Sequence, residues 1–149
     1  MIGLNKIGTE SSIAQREKYL KEILGLKEEG GVLLQTCNRV EWYFGDGHIS
    51  DDIAQHLFRV VSGLESSIVG ETAVVNQVKI AYQDAVRKSH LDKSLHKLFQ
   101  TALFVGKRVR KETGISKGAM SHSQAVVAIL LKNVSDLKGL NITIVGVNK

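Results

Sequence analysis

The stretch "LLQTCNRVEWYF", residues 33 to 44, holds the one cysteine of the chain, Cys37, with an arginine two positions on, Arg39. A thiol beside a guanidinium has chemistry in it: the cation favours the thiolate, and the thiolate is the form that attacks a carbonyl carbon. On a strand alternate residues share a face, so Cys37 and Arg39 would point with Gln35 and Glu41 on a polar side, and Val40, Trp42 and Phe44 would point the other way. A bend at Cys37 would expose the sulfur and offer neighbouring backbone amides to a substrate carbonyl. The competing reading is a small buried hydrophobe at a strand end, since free cysteines are among the most buried residues.

Other residues could join that chemistry. His56 falls between Ile53 and Val60 on a helical face; it is either a core-edge histidine or a base that relays a proton to a leaving oxygen. "GLESSIVGETAVVNQ" gathers hydroxyl, carboxyl and amide side chains before a helix, so Ser66, Glu71 and Thr72 could meet a polar ligand, although turn and cap chemistry explains the same composition. Further on, Lys93, Lys97, Lys107, Arg108 and Lys111 fall within a sector of roughly 100° on one helix, which is either a phosphate-binding face or a solvated one. The closing Gly146-Val147-Asn148 is too short to be a dinucleotide fingerprint by itself.

The elements that must position these residues follow from periodicity. "IGLNKIG" alternates as a short strand, and "SSIAQREKYLKEILG" reads as a helix stopped by Gly25. Residues 32 to 44 are too long a run for one strand and predict two, meeting at a tight bend around Cys37-Asn38-Arg39. From Asp51 the period becomes helical. "DDIAQHLFRVVSG" opens on carboxylates suited to a helix N-terminus, and the next helix places Val74, Val78, Ala81, Tyr82 and Ala85 on one face. Asp92 caps a further helix with a buried stripe of Leu95, Leu98, Phe99, Ala102, Val105 and Val109. Ser121 or Ser123 caps another that ends near Val134, and residues 140 to 145 read as a strand closed by Gly146. A strand left with nothing after it to pack under is the first strand of a βαβ unit cut short, so the sequence reads as part of a longer protein.

Composition bounds the partners. The 149 residues carry a net charge of +5, unevenly: residues 1–78 hold 7 Lys/Arg against 11 Asp/Glu, and residues 79–149 hold 13 against 4. The basic second half suits a polyanion such as nucleic acid. No membrane-length apolar run and no leader pattern is present, and a single cysteine forms neither an internal disulfide nor a multi-thiolate metal site. A protein of a reducing cytoplasm, without membrane or metal, is expected.

The blocks "TCNRVEWY", "HLFRVVSGLESSIVGE", "NQVKIAYQDA", "LFQTALFVGKRVRKETGIS" and "LKGLNITIVG", in that order, resemble successive motifs of glutamyl-tRNA reductase over nearly the whole chain. The resemblance implies an α+β fold: a shortened ferredoxin-like βαββ-type catalytic domain and following helices over residues 1–118. A connecting helix and the first strand of a truncated Rossmann domain, which binds NADPH, then occupy residues 119–149. It implies reduction of glutamyl-tRNA to glutamate-1-semialdehyde through a cysteine thioester, the first step of tetrapyrrole synthesis, in a homodimer whose product passes to glutamate-1-semialdehyde aminomutase. Cys37 is then the nucleophile and His56 the activity-linked histidine. Thr36, Asn38 and Arg39 bind substrate, with Arg39 on its carboxylate. Ser66, Glu71, Thr72, Ala73 and Gln77 match positions at the glutamyl end, and Gly146 opens the cofactor loop. Three departures stand out. Glu71-Thr72-Ala73 replaces the usual Glu-Pro-Gln, the segment between "YFGDG" and "HLFRV" is short, and Asn148 takes the place of a glycine. On these departures a non-catalytic tRNA-binding module is the alternative, and the isolated chain is expected at most to form or hydrolyse the thioester.

Overall fold

A computed structural model describes residues 1–8, 10–26, 30–117, 122–134, 138, 139, 141 and 143. They form β1 (Gly3–Ile7), α1 (Ile13–Leu26), β2 (Gly31–Gln35), β3 (Val40–Phe44), α2 (Asp51–Ser62), α3 (Ala73–Lys88), α4 (Lys93–Glu112) and α5 (His122–Asn133). The chain divides into two units, Met1–Ala119 and Met120–Lys149. α5 belongs to the second, and the expected strand at 140–145, the capping Ser121 and Gly146 lie outside the described residues. The other expected cap, Ser123, sits inside α5, which already begins at His122. Among the described residues no helix is long and apolar enough to cross a membrane.

The first unit is built on a three-stranded sheet in the order β1-β3-β2. β3 runs antiparallel to both neighbours, pairing Gly3 with Phe44 and Ile7 with Val40 on one side, and Gly31 with Phe44 and Gln35 with Val40 on the other. β1 and β2, joined through α1, are therefore parallel to each other with β3 between them. Alternation then divides the sheet residues. Val40 and Trp42 pack with Ile23 of α1 on one face, while Val32, Leu34 and Tyr43 turn to the main core with Leu57, Val60, Val78, Leu95 and Phe99. α1 runs on through Gly25, the expected stop, because one glycine costs a helix only about 1 kcal/mol and here meets open space.

α2 starts under an N-cap: the Ser50 side chain accepts from the Ile53 N–H at 3.4 Å, and Asp51 and Asp52 occupy the first turn. It ends at Gly63, whose φ of 82° is left-handed and whose N–H closes the last turn. A Cβ there would stand 3.1 Å from Gly70 Cα, so the two glycines let the chain of residues 63–70 fold back on itself, closed by Gly70 N–H to Gly63 O at 3.0 Å. α4 begins at Asp92, which accepts from Ser94 N–H at 2.8 Å. Its buried stripe is Leu95, Leu98, Phe99, Ala102 and Gly106; Val105 and Val109 are only half-buried, because the closest approach to α2 is made at Gly106 against Val61.

Candidate active site at the β2–β3 bend

The predicted bend is present. β2 ends at Gln35 and β3 begins at Val40, and Thr36 N–H donates to Arg39 O at 2.9 Å across the turn. No residue in it has a positive φ. Two-residue hairpin loops usually need left-handed residues, and this one is held by a side chain instead: Thr36 Oγ1 accepts from the backbone N–H of Asn38 at 3.1 Å and of Arg39 at 3.2 Å. Cys37 rides at the tip and is exposed and free. The two amides that follow the sulfur are thus taken by the threonine hydroxyl, which corrects the expectation that they face a substrate carbonyl.

A small cavity lies against the bend. Thr36, Cys37, Asn38 and Arg39 form one wall, and Ser66, Glu71, Val74 and Gln77 form the other. The folded-back segment after α2 carries Ser66 and Glu71, and α3 carries Val74 and Gln77. Thr72 and Ala73 are exposed at the start of α3 and line no part of this cavity; Thr72 stands at the N-cap position without a side-chain cap hydrogen bond. The Glu71 carbonyl accepts from Arg110 Nη2 at 3.1 Å, and the same nitrogen donates to Val61 O at 3.0 Å, tying α4 to both ends of the folded-back segment.

His56 stands elsewhere. It lines a neighbouring cavity of about 180 Å³ with Lys6, Glu10, Glu41 and Glu65, and Arg39 borders both cavities. The face shared by Arg39 and Glu41, expected to be polar and open, is buried: the Arg39 side chain is 6% exposed and that of Glu41 3%. Helices α2 to α4 cover it, and the charge survives there because it is compensated. Glu41 lies 3.6 Å from Arg39 Nη1, accepts from the Tyr43 hydroxyl at 2.6 Å, and meets His56 Nε2 at 2.9 Å. Arg39 Nη2 also donates to the Glu65 carbonyl. Lys6 Nζ stands 3.3 Å from His56 Nδ1, so the imidazole bridges the ammonium and the Glu41 carboxylate.

The electrostatics follow that network. Burial, the largest single effect, acts to raise the Glu41 pKa. The hydrogen bond and charge of His56, the Tyr43 hydroxyl and the Arg39 charge together outweigh it, and the carboxyl is held below its ordinary range. Burial pushes the Tyr43 phenol well above its ordinary value, and the adjacent Glu41 charge adds to the effect. Glu41, Tyr43 and Lys6 were not singled out by sequence. The signal for Glu41 was its position two residues after Arg39 on the same strand face, and nothing marked that face as interior.

An α+β domain that carries a lone exposed thiol on a hydroxyl-braced hairpin bend, next to a buried arginine, is what fold and site together define. A family model described as the N-terminal domain of glutamyl-tRNA(Glu) reductase matches residues 8–113. The chain is 40% identical over 160 residues to the glutamyl-tRNA reductase of Methanopyrus kandleri, covering 96% of this chain and 39% of that one. It is 35% identical to that of Desulforudis audaxviator, covering all of this chain and 42% of the relative. That alignment spans 187 residues against 149 here, so the relative carries residues without a counterpart. The solved structure of the Methanopyrus kandleri glutamyl-tRNA reductase superposes with a TM-score of 0.68 at 35% identity, covering 88% of this chain and 39% of that chain. The chain belongs to the glutamyl-tRNA reductase family, and it spans about two fifths of the length of these relatives.

Proposed function

We propose that this chain carries the acyl-transfer half of a glutamyl-tRNA reductase, with Cys37 as the nucleophile. The observation that carries the proposal is the placement of the Cys37 thiol, exposed at a fixed bend and sharing one cavity wall with Arg39. The thiolate attacks the carbonyl carbon of the glutamyl ester, the carbon–oxygen bond to the ribose breaks, the tRNA hydroxyl leaves with a proton, and glutamate stays on the sulfur as a thioester. Arg39, already fixed by Glu41 and the Glu65 carbonyl, supplies the charge that selects a carboxylate-bearing side chain. Ser66, Glu71 and Gln77 line the same crevice, which at about 10 Å³ holds no more than a water, and they meet the glutamyl group as the crevice opens to admit it. His56 acts from the adjacent cavity by way of the groups it shares with Arg39, so its role is to fix the arginine and to relay protons rather than to touch the sulfur.

In this reading NADPH supplies the hydride that turns the thioester into the aldehyde. Gly146, the residue assigned to the nucleotide, lies outside the described residues, so the steps derived from this chain end at the thioester. The parallel β1 and β2 around an antiparallel β3 are read as the βαββ half of a ferredoxin-like domain. Tetrapyrrole synthesis, a homodimeric full-length enzyme, delivery of glutamate-1-semialdehyde to the aminomutase and a cytoplasmic setting belong to the same proposal.

Substrate discrimination tests it. Glutamyl-tRNA should transfer its amino acid to the protein, and glutaminyl-tRNA, which lacks the carboxylate, should transfer at least tenfold less. Equal transfer from both would remove Arg39 from its role. Binding that falls with salt but ignores the attached amino acid, with no transfer, would leave a tRNA-binding module.

A further inference from the structure

We infer that the exposed face of α4 is a single-stranded RNA contact in which Phe104 stacks on an unpaired base of the tRNA substrate, within the row of Lys93, Lys97, Lys107, Arg108 and Lys111. The inference rests on the proposed use of a tRNA substrate and names where that RNA lies.

Phe104 is 60% exposed in the middle of a helix whose opposite face fills the core. At about 100° per residue it falls near the centre of the roughly 100° sector that holds the five cations. The cations are exposed, and among the described residues none of the four lysines forms an ion pair with a carboxylate. Arg108 differs. It is held by Glu112 through two hydrogen bonds of 3.0 Å, and its guanidinium stands 6.0 Å from the Phe104 ring centroid, which leaves the ring flanked by a planar cation.

An exposed aromatic ring costs a soluble helix apolar surface, and a lysine row costs it self-repulsion. Single-stranded nucleic acid relieves both, because phosphates neutralise the row and a base covers the ring. A duplex would meet the lysines but has no free base face for the ring. From Lys93 to Lys111 the row runs about 27 Å, long enough to follow several nucleotides. Its C-terminal end lies beside Arg110, whose bonds to Val61 and Glu71 fasten α4 to the segment that walls the Cys37 cavity.

The test measures affinity for fluorescent uncharged tRNA(Glu), for a short single-stranded RNA and for an RNA duplex, over a range of salt. The inference predicts that Phe104→Ala weakens single-stranded binding about tenfold and that Phe104→Trp retains it. Replacing Lys97, Lys107 and Lys111 with Gln should lower the salt slope by about 2. All four side chains are exposed, so circular dichroism should show an unchanged fold. Unchanged affinity in Phe104→Ala, or an unchanged slope in the lysine variant, overturns the inference. Transfer of labelled glutamate to the parent protein is measured in the same buffer. Transfer with no effect of either variant sinks this surface alone, whereas no transfer with both variants weakened sinks the acyl-transfer proposal and keeps the surface.

Discussion

Arg39, the last residue of the bend, and Glu41, the second of β3, enter the core side by side, their charged groups 3.6 Å apart and both nearly excluded from solvent. The pair joins the two cavities of the site. Arg39 borders the thiol side, and Glu41 holds His56 on the other. Removing one partner leaves a buried charge without compensation, which typically costs about 3–5 kcal/mol. Glu41→Gln should therefore lower the urea midpoint markedly. A loss under about 1 kcal/mol would show that the remaining hydrogen bonds suffice.

The same carboxyl sets an acid limit. Its folded pKa lies below the ordinary 4.5, so its stabilisation is fully present above that value and is lost as pH falls through the folded value. Thermal midpoints of the parent should fall with pH below about 4.5, and Glu41→Gln should flatten that part of the profile. A parallel profile in the variant would assign the acid lability to other groups.

Thr36 braces the bend through two backbone amides. Thr36→Val loses both bonds at nearly constant volume and should cost about 1–2 kcal/mol, while Thr36→Ser should stay close to the parent. Denaturation curves give the energies. The rate of Cys37 modification by an aromatic disulfide reports the bend itself: it should change in the valine variant and not in the serine one. Identical rates in all three would mean that the hydroxyl does not hold the loop.

Gly63 makes the folded-back segment possible. With φ at 82° and Gly70 Cα 3.1 Å from where a Cβ would stand, Gly63→Ala combines backbone strain with a clash. A cost of about 1–3 kcal/mol is expected, with glutamyl transfer falling more than tRNA binding because Ser66 and Glu71 shift from the Cys37 cavity. Equal losses of both would place the segment outside the site.

Much of this architecture was readable because local chemistry and tertiary demand agree. The break between β2 and β3, the carboxylates in the first turn of α2, the cap at Asp92 and most of the core faces of α3 and α4 follow from spacing and residue type. What was not readable depends on which helix covers which face. Alternation correctly placed Glu41 with Arg39, yet only the packing of α2 to α4 makes that polar face the interior. The bend amides were assigned to substrate because a sequence does not show where a threonine hydroxyl turns. Gly106, hidden in the cationic half of α4, became a contact only once α2 supplied Val61. Phe104 passed unnoticed because a lone aromatic on a helix is ordinarily core, and its exposure is a tertiary fact.

The most direct test of the account is the intact mass of the protein after brief mixing with glutamyl-tRNA and an acid quench, beside a Cys37→Ser sample. The account predicts a fraction of the parent heavier by one glutamyl group, mapped to Cys37, removed by hydroxylamine and absent from the serine variant. A folded, tRNA-binding protein that never gains that mass, or gains it equally without the thiol, would contradict Cys37 as the nucleophile.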